Sequence, residues 1–509
     1  MISSLCFIVF DLCIWYKVGT YIILECVRVK EFVWLEQVPT YIIMAKAKVL
    51  GAKLVCDVIG LWLKFTNKRR YLISLINNLI TCLIKIKMSI IVIAIGSESG
   101  VPIFSKKVGY NENIQFSTIA SLHGINMFTK CHNLQMINTL VDNGTILWKE
   151  YCKSVTLIGI ATGGLECDLE LLLSCIHDVM VFCIGKKELE NLKNLDQIKR
   201  DLRQCYPILD YLLESLDPNS VPRSTIVLDF IQSLLCPQAQ QLQQVLDNYA
   251  QSVTGRWACL TIHGHLVATS SDFCELDPRE ARLLLLLAAA QDGAPLRDTL
   301  VYLPQMSPNV AFRAVTCKLL ADVYVLVICG ATPALSQIDE IVLQCWEGYA
   351  QVIKEAKLVY PRNFPLSVTF DTALLGLLVI NVSKRRCVFS RHLHATQKSR
   401  GMSGVHRIDI LRTFYITTAK DLAPELKITE GEEKDSMDGA VSETYWCSEY
   451  HKCHAQRAGT LLCCALYAPT VSTHTMRYFY IIETFRNFII RLLTSQILQD
   501  LSTNKEIYW

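Results

Sequence analysis

The densest group of side chains with ligand or nucleophile chemistry is the stretch CSEYHKCH, from Cys447 to His454. Its two cysteines and two histidines are ligands that Zn²⁺ prefers. Structural zinc sites usually combine two separated ligand clusters, and the second cluster here would have to be Cys463 and Cys464. The spacing is a weak match to that arrangement, so we predict no metal site.

Isolated histidines and a glycine-rich turn are the remaining candidates for chemistry. His263 and His265 flank Gly264 without a nucleophile close in sequence, and His123 falls on a helix face, where a packing role is the commoner one. The stretch GIATGG (159–164) lies between a strand pattern and a helix pattern, but it lacks the spacing of a phosphate-binding loop and its lysine. No triad or carboxylate pair is evident. We therefore predict a protein that is not an enzyme and that needs no cofactor.

Composition and charge point to a multidomain chain without a nucleic-acid partner. The 509 residues carry a net charge of +3 and have 51% hydrophobic residues. That length is enough for about three or four domains. The 22 cysteines follow no regular spacing, and no convincing secretory signal precedes them. They are therefore expected to be reduced thiols.

The first 87 residues differ from the rest of the chain. They contain twelve Lys and Arg but five Asp and Glu, and their apolar stretches are interrupted by polar residues. A membrane span needs about 20 mainly apolar residues. We interpret residues 1–87 as a leader outside the functional protein, with Met88 as its natural start. The alternative is a membrane-anchored protein that uses residues 1–95.

From Met88 the hydrophobic periodicity predicts an α+β module. Two short strands precede a helix, and MINTLVDNGTILWKEY predicts a hairpin in which Asn143-Gly144 form a type I′ turn with positive φ. A fifth strand and two helices follow, the last of which is predicted to end at Pro207. The predicted strands and helices lie at 90–95, 101–105, 116–130, 154–161, 169–180 and 188–205, and the hairpin occupies 136–151.

The same element order recurs twice, which predicts three α+β modules. Each is expected to be a five-stranded antiparallel sheet with helices on both faces. The second copy begins with the hairpin at 256–270 and continues through a helix at 277–291, three strands and a helix at 336–357. The third begins with the hairpin at 374–391. The predicted domains are 88–216, 224–358 and 370–476, with an acidic linker at 423–440 and an atypical tail at 477–509.

Seven stretches along the three modules carry a family resemblance: SGVPIF, FSTIASLHGINMF, ILWKEYCKSVTLI, IGKKELENLKNLDQIKRDLR, VYLPQMSPNV, LLGLLVINVSKRRCVFS and LRTFY. They resemble the fuzzy family of planar cell polarity effectors, in the order in which that family has them. The resemblance extends from about Met88 to Met476 and is strongest in the first module.

This resemblance implies longin domains and a role in ciliogenesis and planar polarity. It implies pairing with inturned and with a WD-repeat subunit of the same complex. It also implies guanine nucleotide exchange on a Rab-type GTPase and vesicle or ciliary protein trafficking. The expected location is cytoplasmic, at the basal body or cilium base and the apical cytoskeleton. The alternative is a trafficking adaptor of the same fold without exchange activity.

Two sets of residues are predicted to make contacts with partners. In longin pairs the first helix and the neighbouring edge strand commonly take part, so we expect outward-facing contacts there from Val101, Ile103, Ser117, Ser121 and Asn126. The basic hairpin turn of the third module is a candidate contact for a phosphoinositide membrane surface, through Lys384, Arg385 and Arg386.

Overall fold

The structure is a computed structural model. It describes residues 90–109, 114–141, 144–162, 169–191, 195–216, 230–290, 294–368, 370–390, 404–423 and 442–478. The predicted leader, almost all of the acidic linker, the tail from residue 479 and the glycine pair at 163–164 lie outside these ranges. The described residues fall into two compact units. One comprises residues up to Ser174 together with Leu189–Arg200, and the other comprises Cys175–Glu188 and the residues from Asp201 onward.

The first unit contains a five-stranded antiparallel sheet of order β2-β1-β5-β4-β3. Strand β1, which lies between β2 and β5, is buried throughout, because it is paired on both sides and consists of apolar residues and one glycine. Helix α1 spans Phe116–Cys131, as predicted. The strands are β1 (Ile90–Gly96), β2 (Pro102–Val108), β3 (Asn138–Val141), β4 (Gly144–Tyr151) and β5 (Val155–Thr162).

The β3–β4 hairpin is confirmed, but the prediction that Gly144 lies in its turn is wrong. Gly144 is the first residue of β4, where it pairs with Val141 on one side and with Thr162 on the other. Its φ is not positive. Glycine is required for a different reason, because an added Cβ would lie 2.4 Å from the carbonyl oxygen of Ala161.

The predicted helix at 188–205 is also wrong, since the chain forms shorter pieces there. Helix α2 (Leu169–Ile184) is followed by α3 (Lys186–Glu190), α4 (Leu195–Asp201), a 3-10 turn and α5 (Tyr206–Glu214). Pro207 lies in the first turn of α5 and therefore begins a helix. This position suits proline because the first turn leaves backbone N–H groups unpaired in any case.

The second sheet has the order β8-β7-β11-β10-β9. One face is covered by helices α6, α8 and α9, whose apolar residues share a core with the sheet. Helix α7 contacts β7 and β11. Asp277, the residue before this helix, caps its first turn, because the Asp277 side chain accepts a hydrogen bond from the backbone N–H of Arg279. The elements are α6 (Ala239–Ser252), β7 (Trp257–Ile262), β8 (His265–Thr269), α7 (Pro278–Ala289), β9 (Leu296–Leu303), β10 (Ser307–Leu320), β11 (Val323–Cys329), α8 (Leu335–Trp346) and α9 (Ala350–Lys357).

The third sheet has six strands, where five were predicted, in the order β14-β15-β16-β12-β13-β6. The additional strand is β6 (Ile231–Gln232), which precedes the second sheet in sequence and pairs in parallel with β13. The next residue, Ser233, bridges to Leu266 of β8, so one short segment is bonded to both sheets. The remaining elements are β12 (Leu374–Asn381), β13 (Arg386–Ser390), α10 (Gly404–Thr417), β14 (Glu443–Cys447), β15 (Lys452–Ala458), β16 (Leu461–Tyr467) and α11 (Thr473–Tyr478).

Candidate partner-binding surfaces

Helix α1 does not present the surface that the sequence predicted. Ser121 and Asn126 are 4% and 3% exposed, so the prediction that they face outward is wrong. The hydroxyl of Ser121 donates instead to the carbonyl oxygen of Ser117 at 2.9 Å. Small side chains let a helix pack closely against its surroundings. In this protein Ser121 and Asn126 pack against other parts of the same chain and not against a partner.

Strand β2 is an edge strand of the described sheet, as predicted, but Ile103 is buried. Val101, just before the strand, remains exposed, and Ser117 is half-buried. The most exposed apolar residue near these positions is Phe116, the first residue of α1, which is 66% exposed. Val101, Phe116 and Ser117 are therefore the accessible part of the predicted surface.

Strand β3 forms the opposite edge of the first sheet, and sequence reasoning missed it as a binding surface. Leu140 is 70% exposed and Ile137, just before the strand, is 60% exposed. Among the described residues β3 pairs with β4 alone. An edge strand with exposed apolar side chains is a template for pairing with another chain. The available signal was the apolar content of MINTLV in front of the hairpin turn.

The basic turn of the third sheet divides into an accessible part and a buried part. Lys384 and Arg385 lie at the turn between β12 and β13 and are partly exposed. Arg386 begins β13 and is only 9% exposed, so the prediction that it contacts lipid is wrong. Strand pairing on both sides of β13, with β12 and with β6, accounts for its burial.

Three of the residues with ligand chemistry have packing roles. His454 stacks on Tyr445 with ring centroids 4.5 Å apart, and His263 stacks on Tyr360 at 4.1 Å. Burial raises the pKa of the Cys453 thiol to about 12, so this sulfur is held in its neutral form. Within the described ranges no three His, Cys, Asp or Glu side chains are grouped closely enough to hold a metal ion.

His123 likewise has a packing environment. It is the side chain closest to Gly100, where an added Cβ would lie 2.4 Å from its ring and where φ is +65°. Its pKa is lowered, first by desolvation and second by the charge of Lys130. A neutral imidazole packed against a glycine turn is a structural group.

Comparison with known proteins decides the family. Residues 91–212, 255–347 and 373–480 match, in order, the First, Second and Third Longin domain of FUZ, MON1 and HPS1. The chain is 30% identical over 403 residues to the Protein fuzzy homolog of Xenopus tropicalis, an alignment that covers 76% of this chain and 95% of that protein. This chain belongs to the fuzzy family of longin-domain proteins.

Mammalian members of the fuzzy family are similar to a comparable degree. The Homo sapiens homolog is 29% identical over 344 residues, covering 65% of this chain and 80% of its own. The Mus musculus homolog is 28% identical over 337 residues, covering 64% of this chain and 79% of its own. These matches confirm the resemblance seen in the sequence and the expected longin fold. In the part of the chain that the structure describes, no helix has both the length and the apolar character to cross a membrane.

Proposed function

We propose that this fuzzy-family chain is a longin-domain subunit of a planar cell polarity and ciliogenesis complex, in which it pairs with inturned. The observation that carries the pairing is the edge of the first sheet at β3, where Leu140 and Ile137 are exposed. A second longin sheet could extend this edge by backbone hydrogen bonds and cover both side chains. Family membership supports the assignment to polarity and ciliogenesis.

The pair is proposed to act as a guanine nucleotide exchange factor for a Rab-type GTPase in vesicle or ciliary protein trafficking. Exchange requires no acid, base or nucleophile from the factor. It requires a surface that binds the nucleotide-free GTPase more tightly than the loaded form, so that the binding energy shifts the GTPase toward release. The packing of His263 and His454 against tyrosine rings and the burial of the Cys453 thiol are compatible with such a role.

The remaining partners follow from the same proposal. A WD-repeat subunit would complete the complex, and Lys384 and Arg385 would touch a phosphoinositide membrane surface. The site of action would be the basal body or cilium base and the apical cytoskeleton. Binding of the complex to liposomes with and without a phosphoinositide, compared with the double variant Lys384→Ala/Arg385→Ala, tests the lipid contact.

Reconstitution tests the function directly. The full chain is co-expressed with inturned, and release of a fluorescent GDP analogue is followed from a panel of Rab-type GTPases. We expect the pair to co-purify and to accelerate release from at least one GTPase, while neither subunit does so alone. Co-purification without acceleration from any GTPase would favour the adaptor of the same fold. Failure to co-purify would contradict the pairing, and retention of the full chain in membranes after carbonate extraction would favour the anchored alternative.

A further inference from the structure

Arg386 is a buried cation with an uncommon partner. Its Nη2 group donates to the sulfur of Cys274 at 3.7 Å. Among the described residues this is its side chain's one hydrogen bond, and it has no ion pair there. Desolvation lowers the pKa of Arg386, and the interaction with Cys274 opposes that shift. Because arginine keeps its proton in proteins, this guanidinium places a fixed positive charge next to the sulfur of Cys274.

Cys274 is partly exposed to solvent. It lies in the 3-10 turn Ser271–Glu275 and is half-buried. Two carboxylates flank it in sequence, and both are directed at Arg256. Asp272 lies 3.8 Å and Glu275 lies 2.8 Å from that guanidinium. The acids next to Cys274 are therefore compensated by another cation, which leaves Arg386 as the charged group in contact with the sulfur.

Two other cysteines in the same unit separate the effect of access from the effect of charge. Cys175 accepts from Arg282 Nη2 at 2.9 Å but is 1% exposed, so it has an arginine and no access. Cys345 is half-buried like Cys274 but has no arginine partner among the described residues, and burial raises the pKa of its thiol. Cys274 has an arginine partner, as Cys175 does, and is partly exposed, as Cys345 is.

We propose that Cys274 is a covalent modification site, a nucleophilic sulfur supported by Arg386 that reacts with soft electrophiles and with hydrogen peroxide. With peroxide, the sulfur attacks one oxygen, the O–O bond breaks, and the departing hydroxide takes up a proton to form water. The sulfur is oxidised to a sulfenic acid and the peroxide is reduced. Thiolates and not thiols carry out such attacks, and cations close to sulfur promote them.

Modification of Cys274 would disturb the contact between the second and third sheets. Cys274 follows β8 of the second sheet, whereas Arg386 begins β13 of the third and pairs with Ile231 of β6. A group added to the sulfur must displace the guanidinium or the turn. The backbone amides around Ile231 should then exchange with solvent faster than in the unmodified protein.

The test uses the full chain under native, reducing-agent-free conditions and iodoacetamide as the probe. Sulfur forms a bond to the methylene carbon, the C–I bond breaks, and iodide leaves with the electron pair. Peptide mass spectrometry over time gives a rate for each cysteine. We expect Cys274 to react about tenfold faster than Cys345, with Cys175 unlabelled. Equal rates for Cys274 and Cys345 would overturn the proposal.

Two substitutions of Arg386 test whether its charge causes the faster labelling of Cys274. Arg386→Met removes the cation but keeps a long side chain, and it should lower the rate at Cys274 to that of Cys345. Arg386→Lys should restore a large part of the rate. An unchanged rate in a folded Arg386→Met protein would overturn the proposal. Labelling of the buried Cys175 would show that a variant has unfolded. In that case the proposal is judged on the wild-type protein alone, by the ratio of the labelling rates of Cys274 and Cys345.

Discussion

Helix α1 and strand β3 belong to the same domain, yet they place polar and apolar side chains in opposite environments. The small polar residues Ser121 and Asn126 of the helix are buried, whereas Leu140 of the strand is largely exposed. A helix with small side chains can approach its neighbours closely on several sides. An edge strand has unpaired backbone on one side, and among the described residues no layer covers the apolar side chain of Leu140. Exposed apolar residues on an edge therefore mark the surface that needs a partner better than small polar residues on a helix do.

Substitution of Ser121 gives the largest effect expected from this comparison. In Ser121→Arg a charged side chain must enter a site that is 4% exposed. We expect the first domain to lose about 3 kcal/mol or more of unfolding free energy. Hydrogen exchange of the α1 amides measures the loss. Ser117→Arg, at a half-buried position one turn earlier, is the matched control and should be much milder. Wild-type protection in Ser121→Arg would show that this helix face is open.

The β3–β4 hairpin provides a second, smaller test. Gly144→Ala places a methyl group 2.4 Å from the carbonyl oxygen of Ala161, and should destabilise the first domain by about 1–3 kcal/mol through overpacking. Gly459→Ala is the control, because its Cβ meets nothing within 4 Å while its φ is +59°. That variant should cost about 1 kcal/mol of backbone strain alone. Thermal melts that rank the two variants in the reverse order would contradict the position assigned to Gly144.

Part of the fold and of the candidate surfaces could be predicted from the sequence. The elements and buried residues that were not predicted were missed for different physical reasons. Helix α1 and the hairpins follow from regular apolar spacing over long segments. Helix α6 was missed although Leu242, Val245, Leu246 and Tyr249 have helical spacing. Strand β6 has two residues, too few for any period, and exists because β13 offers it an edge. The burial of Arg386 depends on the same pairing between β6 and β13. The sequence did not indicate this burial, because a cluster of basic residues is usually solvated.

The smallest expected effect concerns the ion pair between α1 and β4. Lys130 Nζ lies 2.6 Å from Glu150 Oε2, and both side chains are one-third exposed. Because water and salt screen such pairs, Glu150→Gln should change the unfolding free energy of the first domain by less than about 1 kcal/mol. The change should shrink further as salt is added. A larger loss, measured by denaturant titration, would mean that this pair helps to fix α1 on the sheet.

Affinity for inturned tests the central claim most directly, because it asks which edge of the first sheet binds. Leu140→Asp and Phe116→Asp each add one charge at a residue that is 70% or 66% exposed, on β3 and at the start of α1 respectively. With immobilised inturned and the full chain in solution, Leu140→Asp should weaken binding at least about tenfold. Phe116→Asp should bind like the wild type. Both variants should have the circular dichroism spectrum of the wild-type protein. Wild-type binding by Leu140→Asp together with loss of binding by Phe116→Asp would contradict the account and move the interface to the α1 side.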